Sequence, residues 1–169
     1  RALPSPAITL RRYYARMRMY GADAAVPLRW FTAKTEAAYF TSSTPTADEY
    51  ALYVIQLERQ MGEWVFVGGY AGEAETRRRF PLDFAPDRGL AKTFLGRASY
   101  NLDANRTVAL ETAVRQNAAG MYAKLEYTQS VGNHWRWTAA CTLLRGRDSD
   151  FLGQYHRNSN AQLILRYSF

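Results

Sequence analysis

Ten charged residues, Lys34, Glu36, Glu58, Arg97, Glu111, Arg115, Lys124, Glu126, Arg136 and Arg166, lie in short stretches where polar and apolar residues alternate. Successive side chains of an extended strand point to opposite faces. If those stretches are strands, all ten charges share the face opposite the apolar residues. A wall of this kind can replace part of the hydration shell of a passing solute, or neutralise itself in ion pairs. Six of the ten are basic and four acidic, so a mild preference for anions is expected. Other chemistry is poorly supported. His134 sits at a turn and His156 in a loop, and neither has a partner at the spacing of a metal site or a catalytic triad. The single Cys141 excludes an internal disulfide and a thiolate metal cluster. Glu36-Ala37-Ala38-Tyr39 and Lys124-Leu125-Glu126-Tyr127 hint at carboxylates for acid–base work, but the neighbouring Lys34 and Lys124 make ion pairs the simpler reading. Neither an enzyme nor a cofactor is expected.

The elements that must carry these charges show a two-residue period and almost no helical period. Nine strands are expected: Thr9 to Val26, Trp30 to Thr41, Tyr50 to Gln60, Trp64 to Glu73, Lys92 to Leu102, Thr107 to Asn117, Met121 to Val131, His134 to Arg145 and Arg157 to Phe169. Pro27-Leu28-Arg29, Met61-Gly62-Glu63, Asp103-Ala104-Asn105 and Gly132-Asn133 read as short turns. Ser42 to Glu49, Ala74 to Ala91 and Gly146 to His156 are longer and polar, while Ala118-Ala119-Gly120 is short on the long side. Two strands fit less well. Asp23 is out of phase with Arg16 and Arg18 unless Gly21 marks a bulge, and Val65 to Ala71 is apolar on both faces.

The 169 residues suffice for one domain. Mean hydropathy is −0.39, and no apolar run approaches the ~20 residues of a spanning helix. Spanning strands need only about 9 to 11 residues, half of them polar, so a membrane barrel remains compatible. Aromatics make up 14 %, with twelve Tyr and four Trp, which suits interfacial girdles. The net charge of +7 comes without a basic helix. The densest cluster, Arg77-Arg78-Arg79, falls in an expected loop, so nucleic acid is not an expected partner. The chain opens Arg1-Ala2-Leu3-Pro4-Ser5-Pro6 without the apolar core of a signal peptide, from which either a removed leader or a piece of a longer protein is expected.

The last residues, Ala161 to Phe169, alternate strictly. Ala161, Leu163, Leu165, Tyr167 and Phe169 form one face, and Gln162, Arg166 and Ser168 the other, with Ile164 the apolar intruder. This ending resembles the C-terminal targeting strand of Gram-negative outer-membrane β-barrels, where a terminal Phe follows alternating apolar residues. The resemblance implies an all-β, antiparallel up-and-down meander forming a transmembrane β-barrel, porin-like, with long loops outside the cell. It further implies outer-membrane lipids as surroundings and recognition by the barrel assembly machinery through Leu163, Leu165, Tyr167 and Phe169. The implied function is passive passage of small polar or anionic solutes, with self-association into an oligomer compatible.

Nine strands create a difficulty, because bacterial single-chain barrels have an even number. Two resolutions are open: the chain is the C-terminal part of a larger barrel, or one strand is not a membrane strand and eight close a small barrel. In the second case the interior fills with side chains and function moves to the loops, in adhesion or structure, with Arg77 to Arg79 facing anionic lipopolysaccharide. A soluble lipocalin-like barrel is the rival fold, and Gly62-Glu63-Trp64 mimics its Gly-x-Trp signature. There the apolar phase would face inward.

Overall fold

Alternating runs bounded by Pro, Gly, Asn and Asp turns build strands of 8 to 14 residues. The structure, a computed structural model, describes residues 14–78 and 88–169. The strands are β1 Met17–Pro27, β2 Thr32–Ser42, β3 Glu49–Met61, β4 Trp64–Arg77, β5 Thr93–Asp103, β6 Arg106–Arg115, β7 Gly120–Val131, β8 Trp135–Gly146 and β9 Asn160–Tyr167, with a 3-10 turn at Gly153–Asn158 before β9. Every strand pairs antiparallel with the next, giving one nine-stranded up-and-down meander. Thr9 to Tyr13 of the expected first strand, the prolines before it and Arg79 lie outside the described residues.

The all-β antiparallel meander is as expected, and among the described residues it does not close on itself. Beta-strands β1 and β9 each have one neighbour, and the sheet is open. In a nine-stranded meander the first and last strands run the same way, so joining them would need a parallel pair in an otherwise antiparallel ladder, which is slightly less stable per residue.

Registers are continuous except for shifts at Glu49/Tyr50 and Asn101/Asp103. The β1–β2 ladder runs unbroken from Met17 to Pro27, so Gly21 marks no bulge. Asp23 therefore lies on the charged face, opposite Glu36, and Arg18 on the other face, opposite Thr41. The ninth strand begins at Asn160 rather than Arg157, because 153–158 coil into the 3-10 turn. A Cβ on Gly153 would collide with the Arg147 backbone, so this close approach needs glycine.

The two faces differ throughout. The apolar face carries Ile55, Leu57, Phe66, Phe94, Leu110, Leu125, Leu143, Leu163 and Leu165, all exposed. Among the described residues, charges on this phase occur only near strand ends: Arg18, Glu49, Arg59, Arg106 and Arg145. Its aromatics form two bands. One, towards the short turns, holds Trp64 against Tyr100 and Trp135 against Tyr167. The other joins Tyr53, Tyr70 and Phe94. Trp64 and Tyr70 on β4, like Phe94 and Tyr100 on β5, are six residues apart, about 20 Å along the strand. The opposite, polar face is the one on which two connecting segments fold back, and most of the buried residues lie there.

Candidate functional site

The cross-strand registers bring the polar-face charges into rows. Arg97 on β5 faces Glu111 on β6, which faces Lys124 on β7. Arg97 pairs with Glu111 at 3.1 Å, Lys124 with Glu126 at 2.7 Å, and Lys34 with Glu58 at 2.6 Å across β2 and β3. All six side chains stay partly exposed, so these pairs are screened and each stabilises by about 1 kcal/mol or less. Their main effect is on the field, since each pair cancels its own charge at a distance. Glu36 lies opposite Asp23, an acidic pair on β1 and β2. Arg136 lies opposite Arg166, a basic pair on β8 and β9. Nine of the ten expected residues thus stand exposed or half-exposed on one face.

Arg115 occupies a different setting. Only 3 % of it is exposed. Its Nε donates to Asp150 Oδ1 at 3.0 Å, and Nη1 donates to the Ala91 carbonyl oxygen and to Thr93 Oγ1, the latter at 3.3 Å. Asp150 Oδ2 accepts the Leu152 N–H at 2.9 Å. One guanidinium therefore ties β6 to both returning segments, 88–92 after β4 and 147–153 after β8. The second segment is held further by the Arg147 N–H donating to the Ala119 carbonyl at 2.8 Å. Gly120 lies directly beneath Asp150 and Leu152, where a Cβ would displace the carboxylate.

A second arginine secures the first segment. Arg88 forms ion pairs with Glu73, with Asp48 at 3.4 Å and with Glu75 at 3.6 Å, and stacks 3.9 Å over the Tyr50 ring. Burial alone would depress its pKa, yet the hydrogen bond and charge of Glu73 outweigh this and raise it, so the guanidinium stays charged. Between the segments and the sheet lies a cavity of about 650 Å³, lined by Val67, Leu90, Leu95, Ala113, Phe151 and Leu152, with Arg97 and Glu111 also on its wall.

Alternation could not reveal Asp150, Arg88 or Glu73 as anchors, because partners 35 and 15 residues apart leave no local signature. A signal for the segments did exist: Val65 to Ala71 is apolar on both faces where the returning segments land.

Neither histidine touches Arg115 or Arg88 in the contacts above, although His156 contacts Gly153 and Asp148 of the second segment. His134 Nδ1 lies 3.0 Å from the Ser168 carbonyl, and His156 Nδ1 lies 3.3 Å from Asp148. Among the described residues no cluster of His, Cys, Asp and Glu could hold a metal ion. Leu163, Leu165 and Tyr167 project from the apolar face of β9, Tyr167 touching Phe169 and Trp135. Arg78 pairs with Glu75 at 3.1 Å, and Arg77 lies opposite Glu49. Compared with protein-family models, with curated proteins and with solved structures, the chain matches none of them.

Proposed function

We propose that this chain forms part of the wall of a porin-like outer-membrane β-barrel, a passive channel for small polar or anionic solutes. One observation carries the reading: over nine strands the apolar face is bare, free of mid-strand charge and banded by aromatics, while the polar face holds the ion pairs and the returning segments. Arg or Lys in the middle of a lipid-facing strand costs about 2 to 4 kcal/mol, which accounts for where the charges are missing. Trp and Tyr near the strand ends suit the headgroup level. A soluble lipocalin-like barrel would cover its apolar face, which is bare here.

Open edges fit the same reading. Unpaired strand edges are not tolerated in hydrocarbon, so a membrane-embedded form joins β9 to β1 through further strands. An all-antiparallel closure takes an odd number of them, from chain beyond the described residues or from another polypeptide. The polar face then lines water, and the segments held by Arg115 and Arg88 restrict the opening. Those segments also favour a second reading, an occluded barrel acting through its loops.

The test is expression of the full polypeptide, with fractionation, gel migration before and after heating, and bilayer recording. Outer-membrane recovery, heat-modifiable migration and stepwise conductance are expected. A folded barrel without conductance selects the occluded alternative, and a detergent-free soluble monomer refutes the membrane assignment.

A further inference from the structure

We infer that Arg136 and Arg166, with the Ser130 hydroxyl beside them, form a binding site for the oxyanionic group of a solute, phosphate or carboxylate alike, at the short-turn end of the polar face. The inference rests on the channel reading for its biological meaning, but its evidence is the charge arrangement alone.

Three features carry it. First, the two arginines are direct cross-strand partners, which puts their Cβ atoms about 5 Å apart. Like charges in that position destabilise a sheet, and an anion between them removes the repulsion. Secondly, neither arginine forms an ion pair with a carboxylate among the described residues, whereas Arg97, Lys124, Lys34, Arg115 and Arg88 all do. The nearest polar-face carboxylate on β7, Glu126, lies two rows further along that strand and is engaged by Lys124. Thirdly, neutral donors extend the site. Ser130 faces Arg136 in the ladder and its Oγ lies 3.4 Å from Arg136 Nε, while Thr128 and Thr138 share a hydrogen bond of 3.1 Å in the next row.

Two planar guanidinium forks can each present paired N–H donors to one oxyanion, which a spherical ion such as chloride cannot exploit. The expected selectivity is therefore for oxyanions over halide. The residues face away from the apolar side, so the ligand comes from the aqueous side and not from lipid.

The test uses the full polypeptide folded in detergent micelles with 15N-labelled arginine, inorganic phosphate as probe and chloride at matched ionic strength as control. Saturable shifts of the Arg136 and Arg166 Nε resonances with phosphate alone are expected. Affinity should fall by about tenfold to a hundredfold in the Arg136→Gln, Arg166→Gln double variant, from the loss of charged hydrogen bonds. Arg136→Lys and Arg166→Lys, which keep the charge, should lose the preference for phosphate over chloride. Shifts that follow ionic strength only, equal shifts at Arg97, or unchanged affinity in the double variant overturn the site. Conductance is scored separately. Saturable binding without current refutes the channel and leaves the site standing, while current without saturable shifts refutes the site alone.

Discussion

Breaking the Arg115–Asp150 pair should release the segment 147–153 from the sheet without unfolding the sheet itself. Both side chains are only 2 % exposed. In Asp150→Asn the shape is kept, but the guanidinium loses the Asp150 charge, while the Ala91 carbonyl and the Thr93 hydroxyl stay among its partners. Breaking a buried ion pair by removing one partner typically costs about 3 to 5 kcal/mol. In a rigid core that cost would fall on global stability. Here the segment can swing into water and hydrate the charge, so local opening caps the penalty. Amide exchange at residues 147 to 155 should accelerate by about a hundredfold or more for 3 kcal/mol, until the segment is fully open. Protection in β6 and β7 should hardly change. Arg115→Met with Asp150→Leu removes both charges and should recover most of the protection, because well-packed apolar replacements of buried pairs are often neutral or stabilising. Hydrogen exchange by mass spectrometry on the three proteins decides the matter. Unchanged protection of 147 to 155 in Asp150→Asn, or equal loss throughout the sheet, would refute the idea of a latch. If the channel reading holds, open-state conductance should rise in the single variant and return in the double one.

Placing Arg at Leu125, mid-strand on the apolar face, should cost about 2 to 4 kcal/mol of folding free energy in lipid vesicles, whereas Thr128→Arg on the polar face should cost well under half of that; urea titrations measure both, and equal costs would contradict the assignment of faces. Cys141, exposed on that same apolar face and the one thiol in the chain, should react in vesicles with a lipid-soluble maleimide and resist a charged thiosulfonate. Rapid labelling by the charged reagent would place β8 in water. Lys34→Met should lower stability by about 1 kcal/mol or less despite the 2.6 Å contact with Glu58, since both side chains are over a third exposed. A loss several times larger in chemical denaturation would mean that the pair is shielded from solvent by something beyond the described residues.

The meander was legible because each strand declares its two faces locally. Trp135, Trp137, Ala139, Cys141 and Leu143 against Arg136, Thr138 and Thr142 fix the phase of β8 without reference to any other strand, and the short turns fix its neighbours. Arg97, Glu111 and Lys124 were placed on one face by that rule alone, and the ladder registers then made them neighbours. The role of Arg115 was not legible. Its position in the alternation is the same as that of Arg97, and what separates them is a partner carboxylate 35 residues away that reaches it only because 147–153 folds back. The sequence does mark such places by a fault in the pattern. Leu52, Val54, Val65 and Val67 are apolar residues on a face that elsewhere carries charge, and Val67 shares a cavity with Leu90, Phe151 and Leu152 of the returning segments. A strand apolar on both sides thus signals that its polar-side residues are covered by another part of the protein. Ile164 is the same kind of fault on β9, and it faces Thr138 beside the Arg136–Arg166 pair. Unlike Val67, Ile164 is exposed among the described residues, where β9 forms an open edge; a strand joining β9 is expected to bring a side chain over it.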